Sequence, residues 1–195
     1  MIKLIIFDFS GVVSVDEEDP YIEKFAKKHN ISFDDLNELY TENLKKSERN
    51  EIPLSEVWNK VMEKFNIKGD YKDFVKEMMF TKTFYQETLK FVLELRKKYK
   101  TAYFSNYAEE YWDYVIKLED LEKYFDFGIV SYQIGSRKPE PKGFKLILEH
   151  FNLKPDEAVF TDDAEKNLIN AKELGINTIH FKNLEQFKEE LNKLI

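Results

Sequence analysis

The run Lys3 to Asp8 reads as a buried β-strand, yet no second run of β type appears until Thr101. Between them apolar residues recur at helical spacing: Tyr21, Ile22, Phe25 and Ala26; then Phe33, Leu36, Tyr40 and Leu44; then Leu54, Val57, Trp58 and Val61; then Tyr71, Phe74, Val75, Met78 and Met79. A strand must pair to satisfy its backbone groups, so Lys3 to Asp8 has to find partners beyond residue 100. The intervening stretch, 16–85, is then an insertion of four amphipathic helices packed as a bundle. Asn30, Pro53 and Gly69 separate these helices, and Ser32 with Asp35 three residues later predicts a capped helix start. The Met and aromatic stripes, including Trp58, Met62, Met78 and Met79, read as packing of that bundle.

Beyond Gln86 the texture changes. Short β-type runs at Thr101 to Phe104, Phe125 to Val130, Ala158 to Thr161 and Ile176 to Phe181 alternate with helical stripes such as Leu89, Val92, Leu93, Arg96 and Leu168, Ile169, Ala171, Leu174, the last followed by Gly175 as a C-cap. This rhythm predicts an α/β fold: a doubly wound, parallel, Rossmann-like sheet formed by 1–15 and 86–195, with 16–85 inserted as a helical domain. A chain of 195 residues is long enough for one sizeable core plus such an insertion.

Parallel strands present their carboxyl ends on one edge, where open α/β sheets bind ligands. Four polar segments meet there: Asp8 with the turn Phe9-Ser10-Gly11, Ser105-Asn106 after the second strand, Arg137-Lys138-Pro139 after the third, and Asp162-Asp163 after the fourth. Three carboxylates brought together repel, and hard oxygen donors favour Mg2+ as the remedy. Lys138 adds a positive charge, while Ser105 and the amides of the turn through Gly11 can cradle phosphate oxygens. An ionised aspartate beside Mg2+ and a lysine can attack phosphorus and form an aspartyl-phosphate that water later hydrolyses. Taken singly, each segment has a plainer reading: Ser105-Asn106 could cap a helix over Ala108 to Leu118, and Asp162-Asp163 could cap one starting near Ala164. The conjunction carries the argument.

The four segments, in this order, resemble the motifs of the haloacid dehalogenase (HAD) superfamily, with Asn167 completing the fourth, and the resemblance spans essentially the whole chain. The helical insertion is similar to the C1 cap of the subfamily that includes dehalogenases, phosphoglucomutases and many small-metabolite phosphatases. The resemblance implies that Asp8 is the nucleophile and an Mg2+ ligand, that Asp162 is a second ligand and that Ser10 contributes its main-chain carbonyl. It further implies that Asp163 orients Lys138 or a water, that Ser105 and Asn106 bind the phosphoryl group, and that Lys138 neutralises Asp8 and the phosphate. The cap is expected to close over the site on hinges near Ser14 to Glu18 and Thr81 to Gln86.

Ser10 is the departure, because the phosphatases that this chain resembles generally carry there a second aspartate that protonates the leaving group and then activates water. General acid-base catalysis is typically worth ~10² to 10⁴ in rate, so slow turnover is expected, with Asp16 and Glu17 as candidate substitutes. The leading reading is a Mg2+-dependent phosphatase of a small phosphorylated metabolite. The alternatives are a metal-independent 2-haloacid dehalogenase, against which the Asp162-Asp163 pair and the absence of a tyrosine at position 10 both argue, and a catalytically weak ligand-binding protein.

A net charge of −7 argues against nucleic-acid or acidic-membrane partners, and no segment approaches the ~20 apolar residues of a membrane span. Cytoplasmic residence is the expectation, and a single chain sets no oligomeric state. The lack of cysteine excludes disulfides and thiolate chemistry, and no dinucleotide fingerprint or P-loop is present. His29, His150 and His180 lie outside the motifs and read as structural or surface residues.

Overall fold

The computed structural model describes residues 1–15 and 18–195, with the main chain alone at Asp19. Five parallel strands, β1 (Leu4–Phe7), β2 (Lys100–Ser105), β3 (Phe127–Val130), β4 (Ala158–Asp162) and β5 (Asn177–His180), form one sheet in the order β3-β2-β1-β4-β5. The first strand of the chain is therefore the central one. Both of its neighbours come from beyond the insertion, with Phe7 in register with Tyr103 on one side and Thr161 on the other. The strand order reverses at β1, the point at which an open sheet leaves a crevice at its carboxyl edge.

Both faces of the sheet are covered, as a parallel sheet requires. Ile5 and Phe7 join a cluster with Val92 of α5 (Gln86–Arg96), Trp112 of α6 (Glu109–Leu118) and Phe187 of α10 (Leu184–Leu191). Leu4 and Ile6 point the other way, onto Phe144 and Ile147 of α8 (Lys142–Phe151) and Leu168 and Ala171 of α9 (Glu165–Glu173). A four-residue helix, α7 (Ser131–Ile134), follows β3. Two stripe assignments shift. In α5 the buried apolar positions are Leu89, Val92 and Leu95, with Leu93 only partly covered, and in α9 Ile169 is 53% exposed because a helical step of about 100° carries it off the face of Leu168.

The insertion consists of α1 (Glu18–His29), α2 (Phe33–Ser47), α3 (Leu54–Lys64) and α4 (Tyr71–Met79). The Ser32 hydroxyl accepts a hydrogen bond from the Asp35 amide at 3.4 Å, which caps α2. Trp58 is fully buried, with the rings of Tyr21, Phe25, Tyr40 and Phe74 at centroid distances of 5.1–6.3 Å. Its indole N–H donates to the Tyr111 hydroxyl of α6 at 3.0 Å, and Tyr40 and Tyr111 share a hydroxyl hydrogen bond of 2.9 Å. These bonds tie the inserted helices to the sheet-bearing part. The outgoing and returning chains run side by side, with the Val15 amide donating to the Thr83 carbonyl and the Tyr85 amide to the Val13 carbonyl. Among the described residues no helix is long and apolar enough to cross a membrane.

Candidate active site

Asp8 lies one residue past β1 and Asp162 is the last residue of β4, so the pairing of these strands brings two carboxylates together at the carboxyl edge. Asp8 is 6% exposed and Asp162 is fully buried. Lys138, at 1% exposure, sits between them with its ammonium 2.5 Å from Asp8 Oδ1 and 2.5 Å from Asp162 Oδ2. Asp163 follows at the rim, and Asp8, Asp162 and Asp163 each offer one carboxylate oxygen within 4.8 Å of the others.

The donors on Asp8 converge on one oxygen. Oδ1 accepts from the Phe9 amide at 2.6 Å, from the Ser105 hydroxyl at 3.3 Å and from Lys138. Asp162 is held by the Asn167 amide at 3.0 and 3.1 Å and by the main-chain N–H of Ala164 at 2.9 Å, so it also starts the turn into α9. Burial pushes the Asp8 carboxyl up to about 8, and the Asp162 charge adds to this while Lys138 opposes it. Burial alone would lower the Lys138 ammonium, but Asp162 and Asp8 more than offset it and the net shift is upward.

Ser105 and Asn106 do not cap α6, whose N-cap position is Ala108. Instead Asn106 clamps the Lys138 loop: its Oδ1 accepts from the Lys138 amide at 2.7 Å and its Nδ2 donates to the Lys138 carbonyl at 3.2 Å. The Gly11 amide is likewise committed, donating to the Ser14 carbonyl at 2.8 Å, and the Phe9 amide is taken by Asp8. The glycine also has a steric use here. Gly11 has φ +79°, and a Cβ there would lie 2.4 Å from Asp163 Cγ. The turn needs glycine both for its left-handed backbone and for the close approach of Asp163. Gly11→Ala should therefore lower unfolding stability by about 1–2 kcal/mol, read as a lower urea midpoint with an unchanged m-value.

Ser10 points its hydroxyl at Tyr107, 2.6 Å away, and accepts from Lys82 Nζ at 3.3 Å. Asp16 and Glu17, the sequence candidates for a substitute acid, lie outside the described residues. The Lys138 loop is also fastened to the end of α2. Arg137 Nε donates to the buried Glu48 at 2.5 Å, and Arg49 pairs with Glu140, which also accepts from the Ser136 hydroxyl at 2.8 Å. Between the sheet edge and the inserted helices is a cavity of about 420 Å³, lined by Asp8, Ser10 and Lys138 from below and by Asn37, Thr41 and Lys45 of α2 from above. Met78 and Met79, read from sequence as packing, are buried and also reach this cavity.

Lys82, Tyr107 and Glu48 carry no motif, and nothing in the sequence singles them out. His180, which reads from sequence as a structural or surface residue, has the structural task of bonding the main-chain carbonyl of Asp163 through Nε2 at 2.8 Å. A usable signal existed there, since His180 ends β5 in register with Asp162.

The haloacid dehalogenase-like hydrolase family model matches residues 5–181. A D-ribitol-5-phosphate phosphatase of Bacteroides thetaiotaomicron is 27% identical over 210 aligned positions, covering 100% of this chain and 99% of the relative. A phosphorylated carbohydrates phosphatase of Thermotoga maritima is 29% identical, covering 91% of this chain and 84% of its own. The structure of a HAD family enzyme of Bacteroides thetaiotaomicron, in complex with magnesium and inorganic phosphate, superposes with a TM-score of 0.78 at 29% identity over 93% of this chain and 95% of that one.

Proposed function

The chain belongs to the haloacid dehalogenase-like hydrolase family, and from that premise we propose that it is a Mg2+-dependent phosphatase of small phosphorylated carbohydrates that works through an aspartyl-phosphate on Asp8. The observation that carries this reading is the cluster of Asp8, Asp162 and Asp163 around the single ammonium of Lys138. Three carboxylates against one cation leave an excess of negative charge in a mostly buried place, which a divalent cation would balance. The donor set fits Mg2+, being all oxygen, and the three carboxylates are gathered with one oxygen of each within 4.8 Å of the others. Asp8, Asp162, Asp163 and the main-chain carbonyl of Ser10 would hold the ion. Bound there, Mg2+ would neutralise the carboxylates and polarise the phosphoryl oxygens.

In the first half-reaction the Asp8 carboxylate attacks phosphorus and the ester bond breaks. Lys138 and Ser105 orient Asp8 through Oδ1, which leaves Oδ2 without a donor among the described residues. In the second half-reaction water adds to phosphorus and releases phosphate, restoring the Asp8 carboxylate. The inserted helices act as the cap over this chemistry. Their polar residues Asn37, Thr41 and Lys45 face the cavity, as a hydroxyl-rich leaving group requires, and the Arg137–Glu48 and Arg49–Glu140 pairs couple cap position to the Lys138 loop. The phosphatases of ribitol phosphate and of phosphorylated carbohydrates among the relatives support this substrate class. Hydrolytic dehalogenation on carbon gives no reason for three clustered carboxylates.

The test is phosphate release from a panel of pentitol, hexose and triose phosphates, in Mg2+ and in EDTA. Release in Mg2+ that falls at least ~10²-fold in EDTA is expected. Equal release in both, or release from no ester, would sink the proposal.

A further inference from the structure

Ser10, Tyr107 and Lys82 form a polar chain at the cavity floor that the chemistry so far leaves unused. Ser10 is partly buried and lines the cavity. Its hydroxyl lies 2.6 Å from the Tyr107 hydroxyl and accepts from the Lys82 ammonium at 3.3 Å. Lys82 is only 6% exposed although it carries a charge, and its Nζ also donates to the Val15 carbonyl at 2.6 Å. The Tyr107 ring is fixed edge-on to Phe9 and packed against Trp112, and Lys82 Nζ stands 5.7 Å from its centroid. A serine hydroxyl has two acceptor lone pairs and one proton. Lys82 donates to this oxygen, while either hydroxyl can be the donor of the Ser10–Tyr107 bond; in the arrangement with Tyr107 donating, the one proton of Ser10 points into the cavity, and two donors on that oxygen make it a better proton donor than a free serine.

We propose that this chain replaces the missing acid: Ser10 hands its proton to the leaving oxygen of the substrate, and Lys82, positioned with Tyr107, refills it. The inference rests on the phosphatase reading above. As Asp8 bonds to phosphorus, the ester P–O bond breaks and its electron pair stays on the leaving oxygen. That oxygen takes the Ser10 proton while Lys82 gives one to Ser10 Oγ, and a neutral alcohol departs. In the second half-reaction water adds to phosphorus, the acyl-phosphate P–O bond breaks back to the Asp8 carboxylate, and the proton shed by the water returns through Ser10 to Lys82. Ser10 is then a catalytic residue, and Lys82 and Tyr107 are positioning residues that act through it.

Leaving-group dependence separates this from a structural role. An aryl phosphate such as p-nitrophenyl phosphate releases a stable anion and needs no proton, whereas glycerol 3-phosphate releases an alkoxide that does. In Mg2+, Ser10→Ala and Lys82→Met should each cut kcat/KM for glycerol 3-phosphate by ~10²-fold or more while changing the aryl ester by less than about 3-fold, and Tyr107→Phe should do so more weakly. Ser10→Asp placed in the Lys82→Met background should restore at least ~10-fold on the alkyl ester. Equal losses on both esters, an unchanged alkyl rate in Ser10→Ala, or no rescue by the aspartate would each overturn the relay while leaving the phosphatase reading intact. A wild-type protein that releases phosphate from neither ester nor from any member of the carbohydrate phosphate panel would overturn the parent reading and the relay with it; if only a panel member is hydrolysed, that alkyl ester takes the place of glycerol 3-phosphate. Should Lys82→Met fail to fold, Ser10→Ala alone, which removes a single oxygen, still decides.

Discussion

Asp8→Asn should lower kcat by ~10⁴-fold or more, because an amide in place of the proposed nucleophile cannot form the acyl-phosphate. The residual protein should be folded. The same substitution should also change the pH dependence of stability in EDTA, and the sign follows from the burial of Asp8. Its carboxyl is raised from 3.8 to about 8 in the folded protein by burial and by Asp162. Between these values the folded state keeps a proton that the unfolded chain has lost, so the folded state is favoured at the acid end and loses that advantage as pH rises towards 8. Wild type should therefore lose stability relative to Asp8→Asn between pH 5 and pH 8, and Mg2+ should return it. Thermal unfolding at the two pH values, with EDTA and with Mg2+, checks this alongside phosphate release. Parallel pH trends in wild type and variant would contradict the buried-charge account, and undiminished turnover would remove Asp8 as nucleophile.

The pairing of β1 with later strands was legible because an unpaired strand is a strong demand: Lys3 to Asp8 had to be completed by chain beyond residue 100, and parallel pairing then forces Asp8 and Asp162 to one edge, whereas its central place is seen only in the fold. Lys138 was legible for a related reason, since the loop after β3 opens on that same edge. What periodicity could not supply is which side chains meet across the joint between insertion and sheet. Lys82 reaches Ser10 only because the returning segment 83–85 pairs with 13–15, and Glu48 reaches Arg137 only because α2 ends over the Lys138 loop. Asn106 and Gly11 read from sequence as phosphate-binding groups at this edge, and the fold gives each a structural task as well. The Asn106 side chain brackets the Lys138 peptide group, and the Gly11 amide closes its own turn. A sequence tells that a polar group is at hand, and only the fold tells whether it has already been used.

Lys138→Met should be the most destabilising of these changes in the absence of metal. The ammonium is buried between two carboxylates at 2.5 Å each, with the Phe160 ring 5.5 Å away, so water cannot take its place freely. Removing one partner from a buried ionic group leaves uncompensated charge and typically costs about 3–5 kcal/mol, which for a chain of this size is a fall in Tm on the order of 10 °C. Asp8, whose carboxyl is already pushed upward, can recover part of this by taking a proton, so the loss should be larger at pH 8 than at pH 5. Mg2+ should restore much of the stability by replacing the missing positive charge. It should not restore turnover, because the ammonium that fixes Asp8 Oδ1 is gone. The double variant Lys138→Met with Asp162→Asn separates charge from packing: deleting the orphaned carboxylate should return stability in EDTA relative to Lys138→Met alone. If the double variant were less stable still, the lysine would matter there for its hydrocarbon packing and not for the charge it balances.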